Sequence, residues 1–227
     1  MKSLFLFNLV FLQGILYSSH IEKDLSFYGF RKISHSPEIY ECLHFLTDTE
    51  CDSIIEKAKP NLERSRVIDQ HSSKQLIDTR RISLGTFLPK MNEGRVIEKV
   101  RSIVEKITNI PSRNGEGIQV LHYLVGGEYQ PHFDWFDPKT TGGLVHYNRG
   151  GQRVATLLVY LNTVKEGGET VFPKAQIKIA AIKGKAVLFY NIDLEGRPDR
   201  MSLHGGAPVI AGEKWIATLW LREEEFQ

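Results

Sequence analysis

The chain has 227 residues, 41% hydrophobic and 25% charged, which suits one domain with one sizeable core. A formal net charge of +2 with dispersed basic residues excludes a nucleic-acid surface built on charge. No self-similarity marks a solenoid and no low-complexity tract interrupts the chain.

At the N-terminus Lys2 precedes an apolar run from Leu4 to Leu16, followed by Ser18 and Ser19. That run is short for a membrane span but has the length and flanks of a secretory signal. Residues 1–19 are therefore expected to be a signal peptide or an uncleaved anchor, which places the protein in the secretory pathway or outside the cytoplasm. Membrane contact follows only in the anchor case. The alternative is a terminal helix or strand of a cytoplasmic protein.

"EIYECLHFL", Glu38 to Leu46, alternates as a strand does, and "TDTECDSIIEKAKP" reads as a helix. Thr47 and Glu50 have capping-box spacing, Ile54 and Ile55 face inward, and Pro60 closes the element. The two cysteines, Cys42 and Cys51, read as buried reduced thiols, with a disulfide as the alternative. Val96, Ile97, Val100, Ile103, Val104 and Ile107 recur at helical spacing and predict a second helix from Asn92 to about Thr108. Both helices precede most of the chemistry-bearing residues and are expected to support them.

After Pro111 short β-branched and aromatic runs alternate with Gly, Pro, Asn and Asp. They include "GIQVLHYLV", "EYQPHFDW", "RVATLLVYL", "KAVLFY", "SLHGGAPV" and "KWIATLWL", and they predict a β-sandwich or barrel with helices packed on one side. Two turn-rich segments, Gln70 to Asp78 and Asp137 to Gln152, are expected to be loops that act as lids.

In "YQPHFDWFD" strand geometry would put His132 and Asp134 on one face. Two such residues alone describe a polar turn as well as a metal site. His204 in "SLHGGAPV" supplies a third ligand type, and two histidines with one carboxylate suit non-heme Fe(II) with open positions. Zinc in a hydrolase could use the same set. Lys214, in "GEKWIATLWLRE", separates the two readings: it alternates with Ile216, Thr218 and Trp220 on one strand face. A cation in an apolar pocket beside the metal could anchor the far carboxylate of 2-oxoglutarate.

With His132, Asp134, His204 and Lys214 in this order, the sequence resembles the catalytic domain of the prolyl 4-hydroxylase alpha-subunit family, Fe(II)/2-oxoglutarate dioxygenases. The motifs that carry the resemblance are "GEGIQVLHYLVGGEYQPHFDWFDP", "GGQRVATLLVYLNTVKEGGETVFP" and "SLHGGAPVIAGEKWIATLWLRE". The resemblance implies an α+β, mainly β fold: a double-stranded β-helix, or jelly roll, with supporting N-terminal helices. It implies a catalytic domain over 36–227 with its dioxygenase core at about 115–224. His132, Asp134 and His204 would bind Fe(II). Tyr123 and Thr170 would join Lys214 around 2-oxoglutarate. Tyr129 and Trp220 would flank a substrate proline, Arg153 would hydrogen-bond the peptide, and Arg81, Ser83 and Glu116 would line its groove. O2 is the second co-substrate and L-ascorbate the supporting reductant.

The activity so implied is C4 hydroxylation of peptidyl proline, with release of succinate and CO2. A hydroxylase of another side chain and a non-catalytic jelly-roll peptide-binding module are the alternatives. The chain lacks the tetratricopeptide-like region and the cysteine pattern of the animal collagen-modifying subunits, which makes pairing with disulfide isomerase doubtful. Arg222 stands where some relatives have histidine.

Overall fold

A computed structural model describes residues 24–65, 67–68, 75–76, 80–88, 94–193 and 195–227. Chain order begins β1 (Arg31–His35), β2 (Glu38–Cys42), α1 (Asp48–Ala58), β3 (Glu63–Arg64), β4 (Val67–Ile68), β5 (Gln75–Leu76), β6 (Leu84–Phe87) and α2 (Arg95–Thr108). It continues β7 (Gln119–Tyr123), β8 (Tyr129–His132), α3 (Thr141–Tyr147), β9 (Arg153–Tyr160), β10 (Glu166–Gly167), β11 (Thr170–Phe172) and β12 (Ile177–Ile179). The last strands are β13 (Ala186–Tyr190), β14 (His204–Gly206), β15 (Val209–Ala211) and β16 (Lys214–Arg222).

A major sheet runs β1-β2-β13-β9-β16-β7-β6-β3, and a minor sheet runs β12-β11-β14-β8. All pairings are antiparallel, and the two sheets enclose one core, as the jelly-roll expectation requires. The central strands are buried on both faces, which explains apolar runs without clean alternation. Ala155, Leu157 and Val159 of β9, with Trp215, Ala217, Leu219 and Leu221 of β16, pack on the helix side. Leu158, Tyr160 and Ile216 turn into the sandwich. Lys214, Thr218, Trp220 and Arg222 share the face of Ile216 by strand alternation.

The helices form a third layer. Thr47 caps α1, with its side chain taking the Glu50 amide and Glu50 returning to the Thr47 amide, so the capping box forms. Ile97, Val100, Val104 and Ile107 of α2 pack on the sheet beside Ile54 and Ile55 of α1. Both cysteines are free and buried, and burial pushes the Cys51 thiol up to about 11.

Four expectations change. The strand from Glu38 ends at Cys42 rather than Leu46, because the chain turns there to reach the cap of α1. Helix α2 begins at Arg95, while Asn92 lies outside the described residues. Strand β8 stops at His132, so Asp134 lies in the bend that follows it. The segment Asp137 to Gln152 contains α3, capped by Thr140, and is fastened down rather than free. Arg222 donates to the carbonyls of Gly151 at 2.7 Å and His146 at 2.5 Å, and Gln152 bonds both backbone groups of Phe136. Of the other expected lid only Gln75 and Leu76 are described, paired with Val67 and Ile68; residues 1–19 lie outside the described part. Among the described residues no helix is long and apolar enough to cross a membrane.

Candidate metal and co-substrate site

Strand register assembles the site. His204 of β14 is the direct partner of His132 of β8, and Lys214 of β16 is the direct partner of Tyr123 of β7. Thr170 of β11 lies opposite Gly206, two residues past His204. Residues distant in sequence therefore meet inside the sandwich.

His132, Asp134 and His204 offer ligand atoms that all lie within 4.8 Å of one another and could hold a metal ion. His132 Nε2 is 3.6 Å from Asp134 Oδ1, and His204 Nε2 is 3.6 Å from Oδ2. Each imidazole is oriented from behind: Nδ1 of His132 lies 2.9 Å from the Gln130 carbonyl, and Nδ1 of His204 lies 2.9 Å from the Ser202 carbonyl. A carbonyl only accepts, so each Nδ1 carries a proton, and in the neutral imidazole Nε2 is then the nitrogen that turns a lone pair inward. Burial pushes His204 down to about 4, against the pull of Asp134, which keeps it neutral at physiological pH. Burial alone would raise the Asp134 carboxyl, but His204, His132 and Arg153 outweigh it and hold the group below the usual carboxylate range. Two imidazole nitrogens and a carboxylate thus converge, a donor set that fits a divalent cation.

Beside this cluster Lys214 is 2% exposed. Its ammonium lies 5.5 Å from the Tyr123 ring and 5.8 Å from the Tyr160 ring, and no carboxylate of the described residues is within ion-pair reach. Burial pushes its pKa down to about 8, with Glu169 opposing. A Cβ on Gly206 would sit 3.4 Å from Lys214 Nζ, so glycine there keeps space beside the ammonium. Tyr160 donates to Thr170 Oγ1 at 2.6 Å, which completes a polar rim in an otherwise apolar pocket. A dicarboxylate that reaches from the metal cluster to Lys214 fits this arrangement.

The residues expected along the peptide are arranged differently from simple groove lining. Tyr129 stacks on His132 with ring centroids 3.7 Å apart, and the Arg81 guanidinium lies 4.7 Å from the Tyr129 ring centre. Arg81 also donates to Gln119 Oε1 at 2.9 Å, and Ser83 bonds Ser65. Arg153 is fastened to Glu116 through two N–H groups, at 2.7 and 2.9 Å, while its third nitrogen is 4.0 Å from Asp134 Oδ1. Alternation would put Arg153 on the helix side with Ala155. A bulge in the β9/β16 register pairs Arg153 with Arg222 instead and turns it to the site. Arg222 shares Glu116 at 3.2 Å and is 1% exposed, so it is framework rather than peptide surface. Trp220 donates its indole N–H to Asp134 Oδ2 at 2.9 Å, and its ring lies 4.0 Å from the Arg153 guanidinium.

Two site residues were not expected. Thr156 donates to Asp134 Oδ2 at 2.8 Å, and Asn191 donates to Thr156 at 2.9 Å. The available signal was a threonine between Val154 and Leu158 on the inner face of "RVATLLVY".

The 2OG-Fe(II) oxygenase superfamily model matches residues 118–222. The chain is 39% identical to Prolyl 4-hydroxylase 2 of Arabidopsis thaliana over 217 residues, 86% of this chain and 71% of the relative. It is similar to the viral collagen prolyl hydroxylase of Paramecium Bursaria Chlorella virus-1 solved with 2OG: 31% identity, TM-score 0.64, 81% of this chain and 95% of that one. A Trichoplax adhaerens prolyl hydroxylase, solved with a hypoxia inducible factor peptide fragment, shares the fold at 18% identity and a TM-score of 0.60, over 94% of this chain and 92% of that one. The chain belongs to the prolyl 4-hydroxylase family of 2OG-Fe(II) oxygenases, dioxygenases that use ferrous iron, 2-oxoglutarate and O2.

Proposed function

We propose that this protein hydroxylates peptidyl proline at C4, with His132, Asp134 and His204 holding Fe(II) and Lys214 anchoring the far carboxylate of 2-oxoglutarate. The observation that carries the reading is the buried Lys214 ammonium with no carboxylate of the described residues in reach, beside three convergent ligand atoms. A zinc hydrolase gives that lysine nothing to bind.

When bound, Fe(II) and 2-oxoglutarate supply the oxidising chemistry: O2 is divided between succinate, formed with loss of CO2, and a hydroxyl on the substrate carbon. The chain does the rest. His132 and His204 keep their Nε2 lone pairs inward through the Nδ1 bonds behind them. Lys214 pairs with the carboxylate that lies away from the metal, while Tyr123 and the Tyr160–Thr170 pair close the pocket around it. Tyr129, in contact with Arg81 and His132, would flank an entering proline together with Trp220, and Arg153 would offer its remaining nitrogen to the peptide. L-ascorbate would keep the metal ferrous between turnovers. We also propose that residues 1–19 direct the chain into the secretory pathway, which N-terminal sequencing of the mature protein tests.

The test of the reaction is incubation with Fe(II), 2-oxoglutarate, ascorbate and proline-rich peptides. Succinate should form in step with a gain of one oxygen atom on proline. Tight coupling to a different side chain overturns the substrate while keeping the reaction class. Peptide binding without any succinate favours a non-catalytic module.

A further inference from the structure

We propose that Thr156, Asn191 and Trp220 are positioning residues that commit Oδ2 of Asp134 to the protein and leave Oδ1 to the metal. The proposal rests on the reading of His132, Asp134 and His204 as the iron site.

The register explains why these three residues meet. Thr156 lies in the middle of β9, directly opposite Trp220 on β16 and Phe189 on β13, so Thr156 and Trp220 stand side by side on the inner face. Asn191 follows the last residue of β13 and reaches the same point from the other side. All of it is closed to solvent: Thr156 is 1% exposed, Asn191 0% and Asp134 5%.

The direction of each bond follows from what each group can do. The indole N–H of Trp220 only donates, and its partner at 2.9 Å is Asp134 Oδ2. An ionised carboxylate only accepts, so the Thr156 hydroxyl must spend its single proton on the same oxygen, at 2.8 Å. That hydroxyl can then only accept from Asn191, which fixes the amide with Nδ2 toward Thr156 at 2.9 Å. The opposite amide orientation would face two acceptors against each other. The cost of the fixed orientation is visible, because Asn191 Oδ1 is buried without a hydrogen-bond partner among the described residues.

Two directed donors therefore occupy Oδ2, which also lies 3.6 Å from His204 Nε2, while Oδ1 lies 3.6 Å from His132 Nε2 and takes no such donor among the described residues, the third nitrogen of Arg153 being 4.0 Å away. A carboxylate held in this way offers one oxygen rather than two. One-oxygen ligation keeps a metal position open that a chelating co-substrate and O2 must share with the two histidines. Outer hydrogen bonds of this type orient a ligand and set metal affinity without touching the metal.

Cobalt(II) titration of the full chain, without 2-oxoglutarate, reads this directly through visible absorption of the bound ion. The variants are Thr156→Val, Thr156→Ser and Trp220→Phe, each checked by circular dichroism for a wild-type fold. Thr156→Val should weaken Co(II) binding by roughly 10- to 100-fold and alter the shape of the band, and Thr156→Ser should restore both. Trp220→Phe, which keeps the ring and removes the N–H, should weaken binding by a comparable factor. Wild-type affinity and band shape in Thr156→Val overturn the proposal. If Thr156→Val does not fold, the same wild-type behaviour in Trp220→Phe overturns it. A wild-type protein with no Co(II) band that depends on His132 overturns the metal reading itself, an outcome distinct from a band that the variants leave unchanged.

Discussion

Lys214 carries a cost in the free protein that the proposed carboxylate partner would offset. The unfolded chain binds the lysine proton with the ordinary pKa of 10.5, whereas burial brings the folded value down to about 8. The unfolded state therefore holds the proton more tightly. The penalty on folding is complete below pH 8 and is relieved as pH rises from about 8 toward 10.5. Its size at neutral pH is on the order of 3 kcal/mol. Lys214→Met should accordingly unfold at a higher urea midpoint than wild type at neutral pH, while its KM for 2-oxoglutarate rises by roughly 100-fold through loss of a buried charged bond. In wild type, affinity for 2-oxoglutarate should fall as pH passes about 8 and the free ammonium loses its proton, which calorimetric titration across that range measures. Equal urea midpoints and a pH-independent affinity would contradict this account. The lysine was legible in the sequence because alternation fixes its face and a strand of such apolarity leaves no room for an idle charge. Thr156 and Asn191 were not, since a threonine in a strand reads as a β-former and an asparagine after one reads as a turn. The indole–carboxylate bond of Trp220 was hidden for a different reason: it depends on where the bend after His132 carries Asp134.

Helix α3 shows how an element is decided by partners outside it. Its glycines, with Pro138 and Asn148 nearby, read as a loop, yet the Thr140 cap and the Arg222 bonds to His146 and Gly151 hold seven residues helical. Arg222 is so buried that burial lowers even its guanidinium to about 10, and Glu116 compensates in part. Arg222→Ala should leave Glu116 with Arg153 alone and cost about 3 to 5 kcal/mol, the range for one partner lost from a buried pair. Hydrogen exchange should accelerate most across 141–151, and an unchanged exchange pattern there would contradict the anchoring role. Helix α1 is the opposite case, because the Thr47 and Glu50 spacing made its start readable from sequence. Thr47→Ala should cost about 1 kcal/mol in denaturant unfolding and leave the KM for 2-oxoglutarate unchanged, since α1 supports the sheet from the far side of the site.

At the scale of the whole molecule, two layers of sheet and one of helix bring residues far apart in the sequence together inside the sandwich. Antiparallel register does this work: His132 faces His204, Tyr123 faces Lys214, and Thr156 faces Trp220. Sequence patterns carried the fold class, because strand runs, turn residues and helix periodicity are local. They could not carry the bulge at Val154 that turns Arg153 inward, which depends on how β9 meets β16. The central claim is that the sandwich binds ferrous iron through His132, Asp134 and His204 and seats 2-oxoglutarate on Lys214. Anaerobic titration of the Fe(II)-loaded protein with 2-oxoglutarate, followed by the visible charge-transfer band of the chelate, tests it most directly. Wild type should develop the band to saturation at one co-substrate per chain, His132→Ala should show none, and Lys214→Met should need far more 2-oxoglutarate to reach it. A wild-type protein without the band, or a His132→Ala variant that keeps it, would contradict the account.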